Sequence, residues 1–449
     1  MSEAERQARR ARALARRSLD QHARYRGKIQ LLPKCPVREL ADFSLWYTPG
    51  VAAASRAIVE DPARVDELTN RGNTVAVVSD GSRVLGLGDI GPRAGLPVME
   101  GKALLFKYLG GVDAVPLCLD VGDPARLAEV VLALQPSFAG INLEDISQPR
   151  CFRLLEQLRA AAGIPVWHDD QQGTAVVVIA GLLNALTLVD KHLDQVRIAM
   201  IGIGAANFAS YRLLGALGVD PGRIVACDSG GILHRGREEL SHQRERWREK
   251  WQVCCDSNAD GRTGGIAEAL AGADVCLAFS QPGPGVIAPE WIAAMAQDAI
   301  VFACANPVPE VWPADAAAAG ARIVATGRSD FPNQVNNSLA FPGIFRGVLD
   351  VRARTISDTM AIAAAHALAA AAEEHGLSPE RILPTMDDWR VAARLAAATG
   401  MAAQAEGLAA LTVEHDALLA QALKTISTAR AATRALMDEG LIAAPEEVT

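Results

Sequence analysis

Between residues 196 and 326 the chain repeats one pattern five times: a short apolar run, then a stretch long enough to hold a helix. The runs fall at 197–201, 223–227, 274–279, 300–303 and 322–325. Each has the length of a strand buried on both faces, and the helix-sized separations favour parallel neighbours, since a tight turn cannot join a parallel pair. A doubly wound sheet is the leading architecture for this half. An earlier α/β series precedes it. Residues 74–78 and 83–87, separated by Asp80-Gly81, predict a hairpin. Strands follow at 114–119, 138–142 and 164–167, with helices after Asp123-Pro124 and over 150–162. A long buried helix is expected over 170–189, and the chain from 352 onward is Ala-rich and helical, interrupted at 376–379 and Pro384.

At 449 residues with half of them hydrophobic and 21% charged, the chain can bury several cores, which excludes a miniprotein and wholesale disorder. The longest apolar stretch, 174–189, is interrupted by Gly181, Asn184 and Thr187 and is shorter than the ~20 residues a membrane span needs. A soluble protein without a membrane partner is expected. The net charge of -8 conceals an uneven split. Residues 1–30 hold eight Arg and one Lys against three acids, +6, leaving -14 on the rest. This polar arm reads as one helix ending near Tyr25-Arg26-Gly27. It lacks aromatic interleaving before Tyr25, and its early Glu residues are unusual in a transit peptide, so a solvated or subunit-contact helix is expected, with no nucleic-acid partner. Eight cysteines occur without a CxxC spacing, which suggests neither zinc nor a disulfide framework and makes a reducing cytoplasm the default.

Gly202-Ile203-Gly204-Ala205-Ala206-Asn207 follows one apolar run and opens an amphipathic one. Gly202 permits the tight turn, Gly204 lets backbone approach a pyrophosphate, and Ala205, Ala206 and Asn207 begin a helix whose free N–H groups face that anion. Asp228, 26 positions after Gly202, ends the next run where a carboxylate can meet an adenosine ribose. Asn207 departs from the usual third Gly or Ala. Asp228 would repel a 2′-phosphate, whereas Ser229, Arg235 and Arg237 are near enough in sequence to receive one; NAD is favoured and NADP left open.

Two acidic pairs end strands of the first series: Glu144-Asp145 after 138–142 and Asp169-Asp170 after 164–167. Either pair alone could be a helix cap or a solvated turn. Together, at the carboxyl ends of parallel strands, they can converge on one cleft and offer oxygen ligands to Mg2+ or Mn2+.

These residues lie within motifs that resemble the malic enzyme family, short bacterial type, from about Tyr25 to Arg354. The segments are SLWYTPGVA (44–52), RGNTVAVVSDG (71–81), VLGLGDIGP (84–92), PVMEGKALLFK (97–107), GINLEDIS (140–147), HDDQQGTA (168–175), ANPVPE (305–310) and ATGRSDFPNQVNN (325–337). The resemblance implies an N-terminal malic domain over 1–168, with 1–30 as its helical arm. It implies a Rossmann-type NAD(P)-binding domain over 169–337, and a helical segment over 338–449 that packs back on the first domain. It further implies oxidative decarboxylation of L-malate to pyruvate and CO2, reduction of NAD or NADP, a divalent metal, and at least a homodimer.

Carried over residue by residue, the resemblance makes Tyr47 the catalytic acid and Lys102 the general base, supported by Asp169. Glu144, Asp145 and Asp170 become metal ligands. Arg83, Asn306 and Asn337 touch the substrate, while Asn306 and Asn336 also meet the coenzyme. Three positions depart from the family pattern: Gln172 stands where many bacterial members have His, Asn207 where Ala is usual, and Gly230 where Lys often accompanies NADP. His366 carries no such support and reads as structural or solvated. The rival readings are a malolactic enzyme, which turns malate into lactate, a metal-independent amino-acid dehydrogenase, and a non-catalytic dinucleotide sensor.

Overall fold

Strand β1 (Thr74–Ser79) is buried along nearly its whole length, as a strand in the middle of a sheet must be. The computed structural model, which describes residues 3–445, sets it between β2 (Asp113–Cys118) and β3 (Gly140–Leu143), with β4 (Val166–His168) beyond β3. All three pairings are parallel. The hairpin expected at 74–87 does not form. Both edges of β1 are already taken, so residues 83–87 instead make a loop closed by an isolated Val84–Gly88 bridge. Their alternating apolar pattern arises because Val84 is buried while Leu85 and Leu87 face outward.

The second sheet holds β5 (Ile198–Ile201), β6 (Ile224–Asp228), β7 (Gly231–Ile232), β8 (Val275–Ala278), β9 (Ala299–Ala303) and β10 (Ala321–Thr326). Their order is β10-β9-β8-β5-β6-β7, parallel except for the short edge strand β7, which had no signal in the sequence. The order reverses between β5 and β8, the switch point at whose carboxyl side dinucleotides bind.

From β4 towards β5 the chain runs as a continuous helix, a π-helical turn over Asp169–Gly173 followed by Thr174–Leu188. Twenty residues long, it matches the helix expected over 170–189 to within one residue at each end, and among the described helices it has the length and apolarity to cross a membrane. Its most apolar window is 78% buried inside the fold, which is the position of a core helix. Asn184 on this helix donates to Ala369 O and Ile382 O, which satisfies its NH2 group and ties the helix to the C-terminal segment, while its Oδ1 is buried without a hydrogen-bond partner.

Helix Phe341–Asp350 is buried throughout and packs its rings on the first lobe, Phe341 at 4.5 Å and Phe345 at 5.2 Å from Phe106. Its other side meets helix Arg390–Ala405 closely enough that a Cβ at Gly347 would lie 2.2 Å from Ala396 O. The N-terminal region contrasts with this. Helix Glu3–Tyr25 ends where Arg26 and Gly27 take φ of 53° and 120°, and few residues from 28 to 69 are even half-buried.

Candidate active site

Lys102 is nearly buried on helix Gly91–Gly110, which puts its ammonium among the acids at the ends of β3 and β4. Nζ lies 2.6 Å from Asp169 Oδ2 and 2.8 Å from Glu144 Oε1, and 4.4 Å over the Phe341 ring. Each partner is itself held. Trp167 Nε1 donates to Asp169 Oδ1 at 3.1 Å, and Asn142 Nδ2 donates to Glu144 Oε2 at 2.8 Å. The π-helical turn makes room for the Asp169 carboxylate: a Cβ at Gly173 would stand 1.8 Å from its Oδ1.

Asp145 adopts φ 54°, a left-handed conformation that Asp tolerates better than most residues. Its N–H donates to Asp170 Oδ2 at 2.8 Å, which ties the two strand ends together. Asp145 Oδ2 is buried without a hydrogen-bond partner.

The electrostatics follow from crowding four acids around one lysine. Burial pushes Asp145 up to about 8, and the neighbouring Asp170 adds to the rise. Burial also raises Glu144 well above the usual carboxylate range against the pull of Lys102, and raises Asp169 and Asp170. For Lys102 burial favours the neutral amine, but Asp169 and Glu144 outweigh it and hold the ammonium well above its ordinary value. Burial lowers His168, adjoining this cluster, to about 4, and neither ring nitrogen has a hydrogen-bond partner.

Oxygen-only donors, an unpaired buried carboxylate oxygen and mutual repulsion among Glu144, Asp145 and Asp170 suit a hard divalent cation. Among the described residues no three Asp, Glu, His or Cys side chains stand close enough to hold an ion as they are. Glu144 is engaged by Lys102 through Oε1 and by Asn142 through Oε2.

A cleft of about 730 Å³ joins this cluster to the second sheet. Arg83, Lys102, Glu144, Asp145 and Asp170 line one wall; Gly202, Gly204, Ala205, Ala206 and Asp228 line the other. Asn306, Asn336 and Asn337 close it. Gly202 has φ 82°, and a Cβ there would lie 2.7 Å from Phe279 O, so the turn needs glycine. Asp169 lies beneath the cleft wall, fully buried against Lys102.

Two expected residues are elsewhere. The Asn207 side chain is fully buried and does not face the cleft; it donates to Gly202 O at 2.7 Å and Leu277 O at 3.0 Å, pinning the loop to β8. Its amide needs acceptors, and the strand ends supply them where Ala or Gly would supply nothing. Tyr47 is 70% exposed on the N-terminal region and does not line this chain's cleft.

Around Asp228 the structure also differs from expectation. Arg235 turns away, donating twice to Cys255 O. Arg237 Nη2 reaches Asp228 Oδ1 at 3.1 Å, and Lys250 Nζ reaches Oδ2 at 2.9 Å. Gly230 makes this possible, since a Cβ there would sit 2.5 Å from the Arg237 guanidinium. Burial alone would raise Asp228, but the Lys250 bond, the Gly230 N–H and Arg237 hold it below the usual range. Lys250, which also lines the cleft, was missed: it lies in a polar helix 22 positions from Asp228 with no motif around it. His366 is exposed, in keeping with a solvated residue.

A Rossmann-type lobe facing a lysine and carboxylate cluster across one cleft defines a two-lobed, dinucleotide-binding α/β protein. Family models described as "Malic enzyme, N-terminal domain" and "Malic enzyme, NAD binding domain" match residues 26–129 and 171–405. The chain is 49% identical over 372 residues to the "NAD-dependent malic enzyme" of Geobacillus stearothermophilus, covering 83% of this chain and 76% of that one. It is 47% identical over 386 residues to the "Bifunctional malic/malolactic enzyme" of Bacillus subtilis, covering 86% and 92%. The crystal structure of Entamoeba histolytica malic enzyme superposes with a TM-score of 0.95 at 47% identity, covering 99% of this chain and 92% of that one. The chain belongs to the malic enzyme family.

Proposed function

We propose that this chain oxidatively decarboxylates L-malate to pyruvate and CO2 while reducing NAD or NADP. The observation that carries the reading is Lys102, held between Asp169 and Glu144 in a cleft that continues to the Gly202–Gly204 turn. In this reading residues 1–168 present the acid–base groups, 169–337 the coenzyme surface, and 338–449 brace the first lobe.

The exposed guanidinium of Arg83, at the cleft mouth, forms a charge-assisted pair with a substrate carboxylate, and Asn306 and Asn337 orient the rest. Lys102 takes the C2 hydroxyl proton. Of the forces on it, burial favours the neutral amine, so release of Glu144 leaves Asp169 as its ion partner and moves it towards the proton-accepting form. A nicotinamide supplies the hydride acceptor. Glu144, Asp145 and Asp170 would hold a divalent ion, which would supply Lewis acidity to the reacting oxygens. Asp169, fixed by Trp167, keeps the lysine aimed.

Loss of the C4 carboxylate as CO2 leaves the electron pair of the broken C3–C4 bond to take up a proton at C3, which Tyr47 gives; because Tyr47 does not line its own chain's cleft, it acts in the cleft of a second copy. Leu31, Leu40, Phe43, Leu45 and Val59, exposed in the same N-terminal region, support that reading, as apolar side chains that another subunit would cover. Coenzyme choice turns on Asp228. Both its oxygens are already engaged by cations and an N–H, so it does not act as a free carboxylate against a 2′-phosphate, and Lys250 and Ser229 offer one partners. NAD and NADP are both admitted. Cytoplasmic placement is supported by the eight free thiols.

The test is L-malate with Mn2+, supplied with NAD or with NADP, following reduced coenzyme and identifying the product. Pyruvate in step with reduced coenzyme is expected. The bifunctional name of the Bacillus subtilis relative favours one second reading, a malolactic activity, and lactate without net coenzyme reduction would establish it. Activity that survives EDTA would favour a metal-independent dehydrogenase.

A further inference from the structure

Two loops finish the coenzyme side of the cleft, one after β8 at Phe279-Ser280 and one after β9 at Cys304-Ala305-Asn306. One side chain outside the proposed reacting groups holds both. Glu310 is 0% exposed. Its Oε1 accepts the Ser280 N–H at 2.8 Å and the Ser280 hydroxyl at 2.9 Å, while Oε2 accepts the Ala305 N–H at 3.0 Å. Its own carbonyl accepts from Gly285 N and Ile287 N, both at 3.2 Å, so residue 310 ties the β8 loop with main chain as well as side chain.

The choice of side chain is dictated by these partners. All three are uncharged donors, and a carboxylate accepts on both oxygens. Glutamine in the same pose would set an NH2 group against an N–H or O–H and leave a buried donor unsatisfied. Asn306, next to the anchored Ala305, is also confined on its far side, for a Cβ at Gly327 would lie 2.7 Å from Asn306 Nδ2.

Position in the sheet says which part of a ligand these loops meet. β8 and β9 lie across β5 from β6, whereas Asp228 ends β6. A dinucleotide spread over the switch point has its adenosine by Asp228 and its nicotinamide by Ser280 and Asn306.

We infer that Glu310 is a positioning residue for the nicotinamide half of the coenzyme, acting through Ser280 and the Ala305-Asn306 backbone. The inference rests on the coenzyme reading above. Glu310 touches neither substrate nor coenzyme; it fixes the spacing between two loops that do.

The test compares wild type and Glu310→Gln for binding of two ligands: NAD or NADP, whichever binds more tightly, and the matching ADP-ribose that lacks nicotinamide. The variant should bind the nicotinamide coenzyme about tenfold more weakly, the scale of one mismatched buried hydrogen bond, and lose kcat, with its ADP-ribose affinity unchanged. Unchanged coenzyme affinity overturns the inference, as does an equal fall for both ligands, which marks a general loss of structure. Wild type that binds neither ligand overturns the coenzyme reading and this inference with it. If Glu310→Gln does not fold, Ser280→Ala removes the hydroxyl bond alone. It should weaken the coenzyme roughly threefold and leave ADP-ribose untouched, and equal coenzyme affinity in that variant overturns the inference.

Discussion

Lys102 Nζ stands 2.6 Å from Asp169 Oδ2, and the same carboxylate is held through its other oxygen by Trp167 Nε1 at 3.1 Å. The lysine's position is therefore set from the base of the sheet upward: β4 fixes Trp167, the π-helical turn fixes Asp169, and Asp169 fixes Lys102. Glu144 is its second partner but belongs to the acids that suit a cation, so one side chain links base and metal chemistry.

Removing one proposed ligand tests that link. Asp170→Asn should weaken Mn2+ binding by at least about tenfold, read by titration in the absence of coenzyme. It should also ease the repulsion on Asp145 and Glu144. An unaltered Mn2+ titration would remove Asp170 from the ligand set.

Coenzyme discrimination should move with Lys250. Lys250→Ala leaves Arg237 on Asp228 but takes away the ammonium that lines the cleft. KM for NADP should rise by roughly tenfold, with KM for NAD nearly constant, as expected for one lost charge-assisted contact. An equal change in both KM values would contradict the role.

Tyr47 and Lys102 can be separated between chains. Tyr47→Phe and Lys102→Ala should each be inactive alone, and mixing them with subunit exchange should restore about a quarter of wild-type activity if the dimer shares sites in trans. No recovery on mixing, with hybrid dimers demonstrated, would place the tyrosine's role within its own chain or remove it.

His168 makes a prediction about stability. Burial holds it near 4, below the ordinary value of 6.5, so the folded state favours the neutral ring. Its contribution is complete above about pH 6.5 and is lost as pH falls towards 4, roughly 3 kcal/mol across that window. The raised carboxylates have the opposite sign, because protonating them relieves the folded state. The comparison is thus wild type against His168→Gln. Between pH 6.5 and 4 wild type should lose more stability than the variant, and parallel curves would contradict the assignment.

Several of these elements were legible before the structure. The five apolar runs of the second lobe became β5, β6, β8, β9 and β10, since strands buried on both faces leave continuous apolar segments that little else imitates. Residues 83–87 misled, because local alternation cannot reveal that both edges of β1 are occupied. The acidic pairs were legible through their places at strand ends. Lys250 was not, since its contact with Asp228 is made by tertiary packing rather than by a motif. For Tyr47 the resemblance implied a chemical role, and the motif gave no indication that the residue lies outside its own chain's cleft.

The central claim is that the Lys102 cluster performs chemistry on malate presented to the coenzyme. The most direct measurement is malate-dependent coenzyme reduction by wild type and Lys102→Ala with Mn2+, alongside coenzyme affinity for both. The account predicts equal molar pyruvate and reduced coenzyme from wild type, with turnover in the variant lower by about 10²- to 10⁴-fold and coenzyme binding retained. Wild-type turnover in a Lys102→Ala protein would contradict it.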